Sequence, residues 1–302
     1  MKRILILGGS GFVGRHLCQS LAQADVELTV PTRQDPEKLT SMLAESDKSI
    51  RFVKTDVLQE TNLPELLRDH DIVINLVAIL HGNERTFEQV HANWVRSLAE
   101  MCARAGIEHL IHISALGANV DGPSMYQRSK GRGEQFLQRV SSETGLPVTI
   151  IRPSVIFGLD DQFINTFASL QRFAPFVPLT GANARFQPVW VEDVAQALTN
   201  LALSGPRSTR LFEACGPEVF SLSDLVRHAG RWAGCQRPIL PLPSAIGKLQ
   251  ALMMEMLPGR TLMSRDNVDS LSVDNVASRS LPGLSDLGIT PTKLGSVFQV
   301  RS

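Results

Sequence analysis

Tyrosine is nearly missing from this sequence: Tyr126 is the only one in 302 residues, and aromatic residues make up just 6% of the chain. Any chemistry that needs a phenol rests on that one side chain. An excess of charge of either sign is also lacking, because 30 basic residues balance 30 acidic ones. With no global field, nucleic acid is not an expected partner, and any charged surface must be local. Cysteine is sparse. Cys18, Cys102, Cys215 and Cys235 form no CxxC pair and lie beside no histidine cluster, which argues against zinc and fits a reducing compartment. His109 and His112 are three apart in an apparent strand, where alternation sends them to opposite faces, so no shared metal is expected. No run of eighteen apolar residues is present, so no spanning helix is expected. Only four apolar residues separate Met1-Lys2-Arg3 from the first glycines, too few for a secretory core. A cytoplasmic protein is expected, with peripheral attachment at an inner membrane left open.

What the chain does have is a rhythm. Hydrophobic residues make up 43% of it, ample for a buried core. Apolar runs at Ile4–Leu7, Val26–Val30, Ile50–Val53, Ile72–Val77, Leu110–Ile113 and Val148–Ile151 alternate with helical patterns near Phe12–Gln23, Pro36–Ala44, Phe87–Ala105 and Tyr126–Thr144. This order predicts an α/β fold built on a doubly wound parallel sheet with right-handed crossovers. After Arg152-Pro153 the alternation becomes irregular. Residues 1–155 are therefore expected to bind a dinucleotide, aided by a returning segment near 187–215. Residues 156–302 are expected to form a smaller, interleaved lobe for substrate or partner.

The stretch LILGGSGFVG places Gly8, Gly11 and Gly14 between the first strand and an amphipathic helix continued by Leu17 and Leu21. Bare backbone N–H groups at a helix N-terminus bind phosphate, and side chains at Gly8 and Gly11 would block that approach. A dinucleotide is expected. The second strand ends in Thr32-Arg33, where an acidic residue would signal NAD, and an arginine fork suits the 2′-phosphate of NADP(H). Asp35 nearby leaves NAD(H) as the alternative. Asp56, past the third strand, either accepts from the adenine amino group or caps a helix start.

SMYQRSKGRGE puts Tyr126 and Lys130 four apart, one turn along a helix face. An ammonium beside a phenol would favour the phenolate, making Tyr126 an acid/base group. Ser114 ends the fifth strand. Arg152 reads equally as a satisfied strand-end residue or a ligand contact. Glu192 and Asp193 read as caps at the start of a returning helix. Ile246, Leu249, Leu252, Met253 and Met256 recur at helical spacing and read as core packing, with an adaptable pocket or docking face as the alternative.

Through GGSGFVG, YQRSK at 126–130, RPSVIFG at 152–158 and QPVWVEDVA at 187–195, the chain resembles the extended or atypical short-chain dehydrogenase/reductases over nearly its whole length. More narrowly, ISALGANVDGPSMYQRSKGRGE and PLPSAIGKLQALMMEMLPG are similar to the subgroup containing the NADPH-binding accessory subunit of respiratory complex I and its bacterial relatives. The resemblance implies a Rossmann domain with a small C-terminal substrate lobe. It implies Gly8, Gly11 and Gly14 on the pyrophosphate, with Phe12, Val13, Val57, Ala78 and Pro153 as further cofactor contacts. It also implies Tyr126 as acid/base and Lys130 on the nicotinamide ribose. Where the family often carries a second serine, this chain has Ala115, so a hydroxyl donor must come from Ser114 or Ser124. Two functions follow: an NADP(H)-dependent oxidoreductase on a hydrophobic carbonyl or quinone-like compound, or a non-catalytic dinucleotide-binding accessory protein of a respiratory or quinone-related complex.

Overall fold

Every one of the six apolar runs forms a strand, and a seventh joins them. The strands are β1 (Lys2–Leu7), β2 (Val26–Thr32), β3 (Ile50–Lys54), β4 (Ile72–Asn75), β5 (His109–Ile113) and β6 (Val148–Pro153). The computed structural model describes residues 1–40, 50–205, 209–256 and 263–298. Short strands β7 (Ile156–Phe157), β8 (Val177–Thr180), β9 (Arg185–Phe186) and β10 (Val189–Trp190) precede the seventh sheet strand, β11 (Arg210–Ala214). β12 (Phe220–Ser221) and β13 (Ile239–Leu242) follow it. The main sheet runs β11-β6-β5-β4-β1-β2-β3, all parallel: a doubly wound Rossmann sheet.

Strand alternation explains the two layers. Ile4 and Ile6 point to one face, under α1 (Phe12–Leu21), while Leu5 and Leu7 point to the other. Both sets are fully buried, as expected of a sheet covered on both sides. The helix predicted near 36–44 is α2 (Pro36–Thr40), with residues 41–44 outside the described part. After α3 (Leu63–Arg68), the helix expected from Phe87 to Ala105 begins instead at Glu84, because Asn83 caps it reciprocally with Thr86. It is also not uniform. Between α4 (Glu84–Glu88) and α5 (Trp94–Ala105), residues Gln89–Asn93 make a π-helical turn. Such turns frequently mark functional sites.

α6 (Met125–Thr144) crosses that turn at a glycine: a Cβ on Gly133 would lie 2.0 Å from the His91 carbonyl oxygen. Beyond β6 come α7 (Phe163–Phe173), α8 (Val191–Leu203) and α9 (Leu222–Trp232), then α10 (Ser244–Glu255), α11 (Arg265–Ser270) and α12 (Leu294–Val297). α8 packs back on α1, and a third apolar cluster gathers around Phe157, Val177, Leu225 and Phe298. Among the described residues no helix is long and apolar enough to cross a membrane. The strand order reverses between β1 and β4, and open α/β sheets bind ligands at the carboxyl ends of such a pair.

Candidate active site

Gly8 follows β1 directly, with φ +86°, and an added Cβ would press on Leu76 at the end of β4 at 3.2 Å. Gly11 caps α1 without any side-chain bond, so the helix N-terminus faces outward uncapped. A Cβ on Gly14 would meet the Gly8 oxygen and Gly9 carbonyl carbon at 2.5 Å, so helix and turn are in direct backbone contact. A Cβ on Gly11 would meet only the Gly8 oxygen, at 3.2 Å. The cradle is therefore open where a pyrophosphate would sit, and closed behind. Gly11→Val should leave the fold intact yet reduce dinucleotide affinity at least about a hundredfold in a calorimetric titration. Gly14→Val, by contrast, should destabilise the protein itself by on the order of 3 kcal/mol in thermal melts.

Around this turn the other expected cofactor residues are placed unequally. Phe12 is partly buried, its ring beside Gly158, and Val13 packs on the first core cluster. Thr32 is buried and its hydroxyl joins Ser10 of the glycine turn at 3.4 Å. Arg33 is exposed next to it, with no ion pair among the described residues. Asp35 turns away, accepting from the Glu37 N–H at the start of α2. Asp56 caps no helix: its carboxylate accepts from the Leu58 N–H in a local turn. Val57 is held by the Trp94 indole N–H on its carbonyl, and Ala78 lies exposed past β4. Pro153 is buried at the end of β6, where its carbonyl accepts from Leu116.

On the far side of the switch point, α6 carries Tyr126 and Lys130. Lys130 is 1% exposed and donates to the Ile113 carbonyl at 3.1 Å, beside Ser114. Burial holds its ammonium down at about 8, opposed by Glu134. The expected phenolate is not what the structure shows. Burial pushes the Tyr126 phenol up to about 12, so it carries its proton at neutral pH. Ser114 Oγ is buried with no hydrogen-bond partner among the described residues, a donor left available. Ser124 is not available. It caps α6, accepting from the Gln127 N–H and donating to the Gln127 side chain.

Two contributors were invisible in the sequence. His91, in the π turn, accepts from the Ile79 N–H at Nε2, which fixes the proton on Nδ1. That Nδ1–H lies 3.0 Å from Ser129 Oγ, and Ser129 in turn donates to the Tyr126 carbonyl. The His91 and Tyr126 rings meet edge to face, centroids 5.3 Å apart. His91 thus ties the loop after β4 to the turn of α6 that bears the tyrosine. The second contributor is Asp266 of α11. Its carboxylate accepts from the Met125 and Tyr126 N–H groups, closing the N-terminus of α6 from a place 140 residues away in the chain. No short-range pattern encodes a cap supplied at that separation.

Further expectations resolve differently. Arg152 makes a bidentate pair with buried Glu134 and is a satisfied strand-end residue. Glu192 and Asp193 are not helix caps. Glu192 binds His16 Nδ1 at 2.6 Å, and buried Asp193 accepts from the Thr292 backbone and hydroxyl, fastening the C-terminal segment to α8.

The profile of the NAD dependent epimerase/dehydratase family matches residues 4–211. The mouse (Mus musculus) mitochondrial protein named NADH dehydrogenase [ubiquinone] 1 alpha subcomplex subunit 9 is 31% identical over 299 residues, covering 96% of this chain and 76% of that one. A protein of Caulobacter vibrioides named ceramide reductase is 24% identical over 241 residues, covering 80% of this chain and 73% of its own. Among solved structures, MoeE5 in complex with UDP-glucuronic acid and NAD superposes with a TM-score of 0.74 at 18% identity, over 99% of this chain and 97% of that one. This last likeness shows the fold.

Proposed function

Because the chain belongs to the NAD dependent epimerase/dehydratase family, we propose that it is a reductase using NADP(H) on a hydrophobic carbonyl or quinone-like compound. The observation that carries this reading is the dry corner formed by Tyr126, Lys130 and Ser114 at the carboxyl edge of the sheet, beside an open glycine cradle. The cofactor, when bound, supplies or takes the hydride. The chain's residues handle the oxygen. Tyr126, protonated at neutral pH, holds the proton that passes to a carbonyl oxygen becoming an alcohol. Ser114 Oγ can donate to that same oxygen as its charge develops. Lys130 supplies positive charge near the phenol and a donor for a ribose hydroxyl. The raised phenol favours reduction over oxidation, since the residue begins as an acid. Residues 156–302 provide the lobe over this corner, and the names of the two relatives agree with an apolar substrate. The test is oxidation of NADPH by a panel of hydrophobic ketones, long-chain carbonyls and quinones, with slow turnover expected.

The preference for NADP(H) over NAD(H) rests on Arg33. It is exposed beside the cradle while Asp35, the competing ribose ligand, is committed to its own helix start. NADPH should bind at least about tenfold more tightly than NADH, and Arg33→Ala should erase most of that difference in calorimetry. Tighter NADH binding by the unaltered protein would contradict it.

A second reading has its own support. Ala115 removes one hydroxyl from the corner, and the mouse relative is named as a subunit of NADH dehydrogenase [ubiquinone]. On that reading the protein binds the dinucleotide as an accessory component docked peripherally to a membrane complex. Tight cofactor binding with no turnover on the panel would favour it.

A further inference from the structure

We infer that α10 is a lipid-docking helix that seats this lobe on an anionic membrane surface. The helix is inside out relative to ordinary core packing, correcting the expectation from its periodicity. Its small residues, Gly247 and Ala251, are the buried ones. A Cβ on Gly247 would lie 1.9 Å from Thr180 Oγ1, so the helix rests on β8 by its thinnest side. Ile246, Leu249, Met253 and Met256, at i, i+3, i+7 and i+10, form the opposite stripe and are 51%, 59%, 63% and 79% exposed. The same lobe exposes Phe173 at the end of α7, at 89%, and Leu240 on β13, which pairs with β8. Contiguous exposed apolar side chains of this size mark a contact surface.

Charge identifies the occupant. The chain as a whole is neutral, yet this lobe carries exposed Arg172, Arg231 and Arg237 with no carboxylate partner among the described residues. They stand beside the apolar residues in sequence: Arg172 precedes Phe173, and Arg237 lies just before β13. The nearby acids are already matched, Glu255 with Arg265 and Asp269 with Lys248. An apolar stripe rimmed by unmatched guanidinium groups fits the acyl boundary and headgroups of anionic phospholipid. Methionines adapt to such an irregular surface. This surface does not depend on whether Tyr126 turns over a substrate. α11, which packs on α10, also carries Asp266 at the start of α6, so the docked face is joined to the candidate active site through two helices.

The test is flotation of the full chain with phosphatidylcholine vesicles, with and without phosphatidylglycerol, at low and high salt. Binding should be at least about tenfold stronger on the anionic vesicles and should fall with salt. Leu249→Glu with Met253→Glu should abolish flotation while the circular dichroism spectrum and Tm stay unchanged, since both side chains are exposed. Arg172→Gln with Arg231→Gln should weaken anionic binding by roughly tenfold or more and leave the weak binding to phosphatidylcholine alone. Absence of flotation by the unaltered protein, or flotation that survives the double glutamate variant, would overturn the inference. So would a dimer in sedimentation analysis that the glutamate pair dissolves, which would assign this face to a second copy of the chain.

Discussion

Lowering the pH from 7 to 5 is expected to withdraw roughly 4 kcal/mol of folding stability through His91 and His109 alone. Burial holds His91 at about 2 and His109 at about 4, against an ordinary value of 6.5. His112 is pushed well below that value too, by burial and by the Lys130 charge. Their partners agree with neutral rings: Asn75 donates to His112 Nδ1, and His109 Nε2 lies 2.9 Å from the Thr149 hydroxyl. A histidine depressed in this way binds fewer protons folded than unfolded. Its contribution is therefore complete above pH 6.5 and is lost as the pH falls from there toward the folded value. Carboxylates titrate lower, so the window between pH 6.5 and 5 belongs to the histidines. Because domains typically have about 5–15 kcal/mol in total, the loss is large. Urea unfolding at pH 7, 6 and 5 checks it, and His109→Gln should flatten the dependence by one site. A flat profile would mean that these rings are charged or solvated in the folded chain.

Tyr126→Phe should lower kcat on any accepted carbonyl by about a hundredfold or more while leaving dinucleotide affinity unchanged. The ring keeps its edge-to-face contacts with His91 and Phe87, and no described hydrogen bond of the fold uses the phenol, so only the transferable proton is removed. Because the phenol stands at about 12, the wild-type rate in the reducing direction should not fall as pH rises through 8 on account of this group. Lys130, at about 8, is the group whose charge changes there. A variant that reduces carbonyls as fast as wild type would remove Tyr126 from the chemistry.

The parts of this molecule written in short-range patterns were legible before any coordinates. The strands announced themselves as apolar runs, the cradle as three glycines between a strand and a helix, and the Tyr126–Lys130 pair by its four-residue spacing. What escaped was set by the third dimension. Spacing placed an ammonium one turn from the phenol, but the sign of the phenol's shift depends on how dry the corner is. Helical periodicity found the stripe on α10, yet could not say that glycine and alanine would be the inward residues. Glu192 and Asp193 looked like caps because they open a helix, while their partners, His16 and Thr292, are distant in sequence. His91 is a lone histidine in a helical run. Only the π turn and the glycine crossing of α6 bring it to Tyr126.

The most direct test of catalysis is transfer of label from NADPH deuterated at the nicotinamide C4 to a hydrophobic carbonyl substrate. The account predicts deuterium on the new alcohol carbon with the wild-type protein, and none above background with Tyr126→Phe at equal cofactor saturation. Saturated cofactor with no label in any product across the panel would contradict it, and would leave the chain a dinucleotide-binding accessory protein.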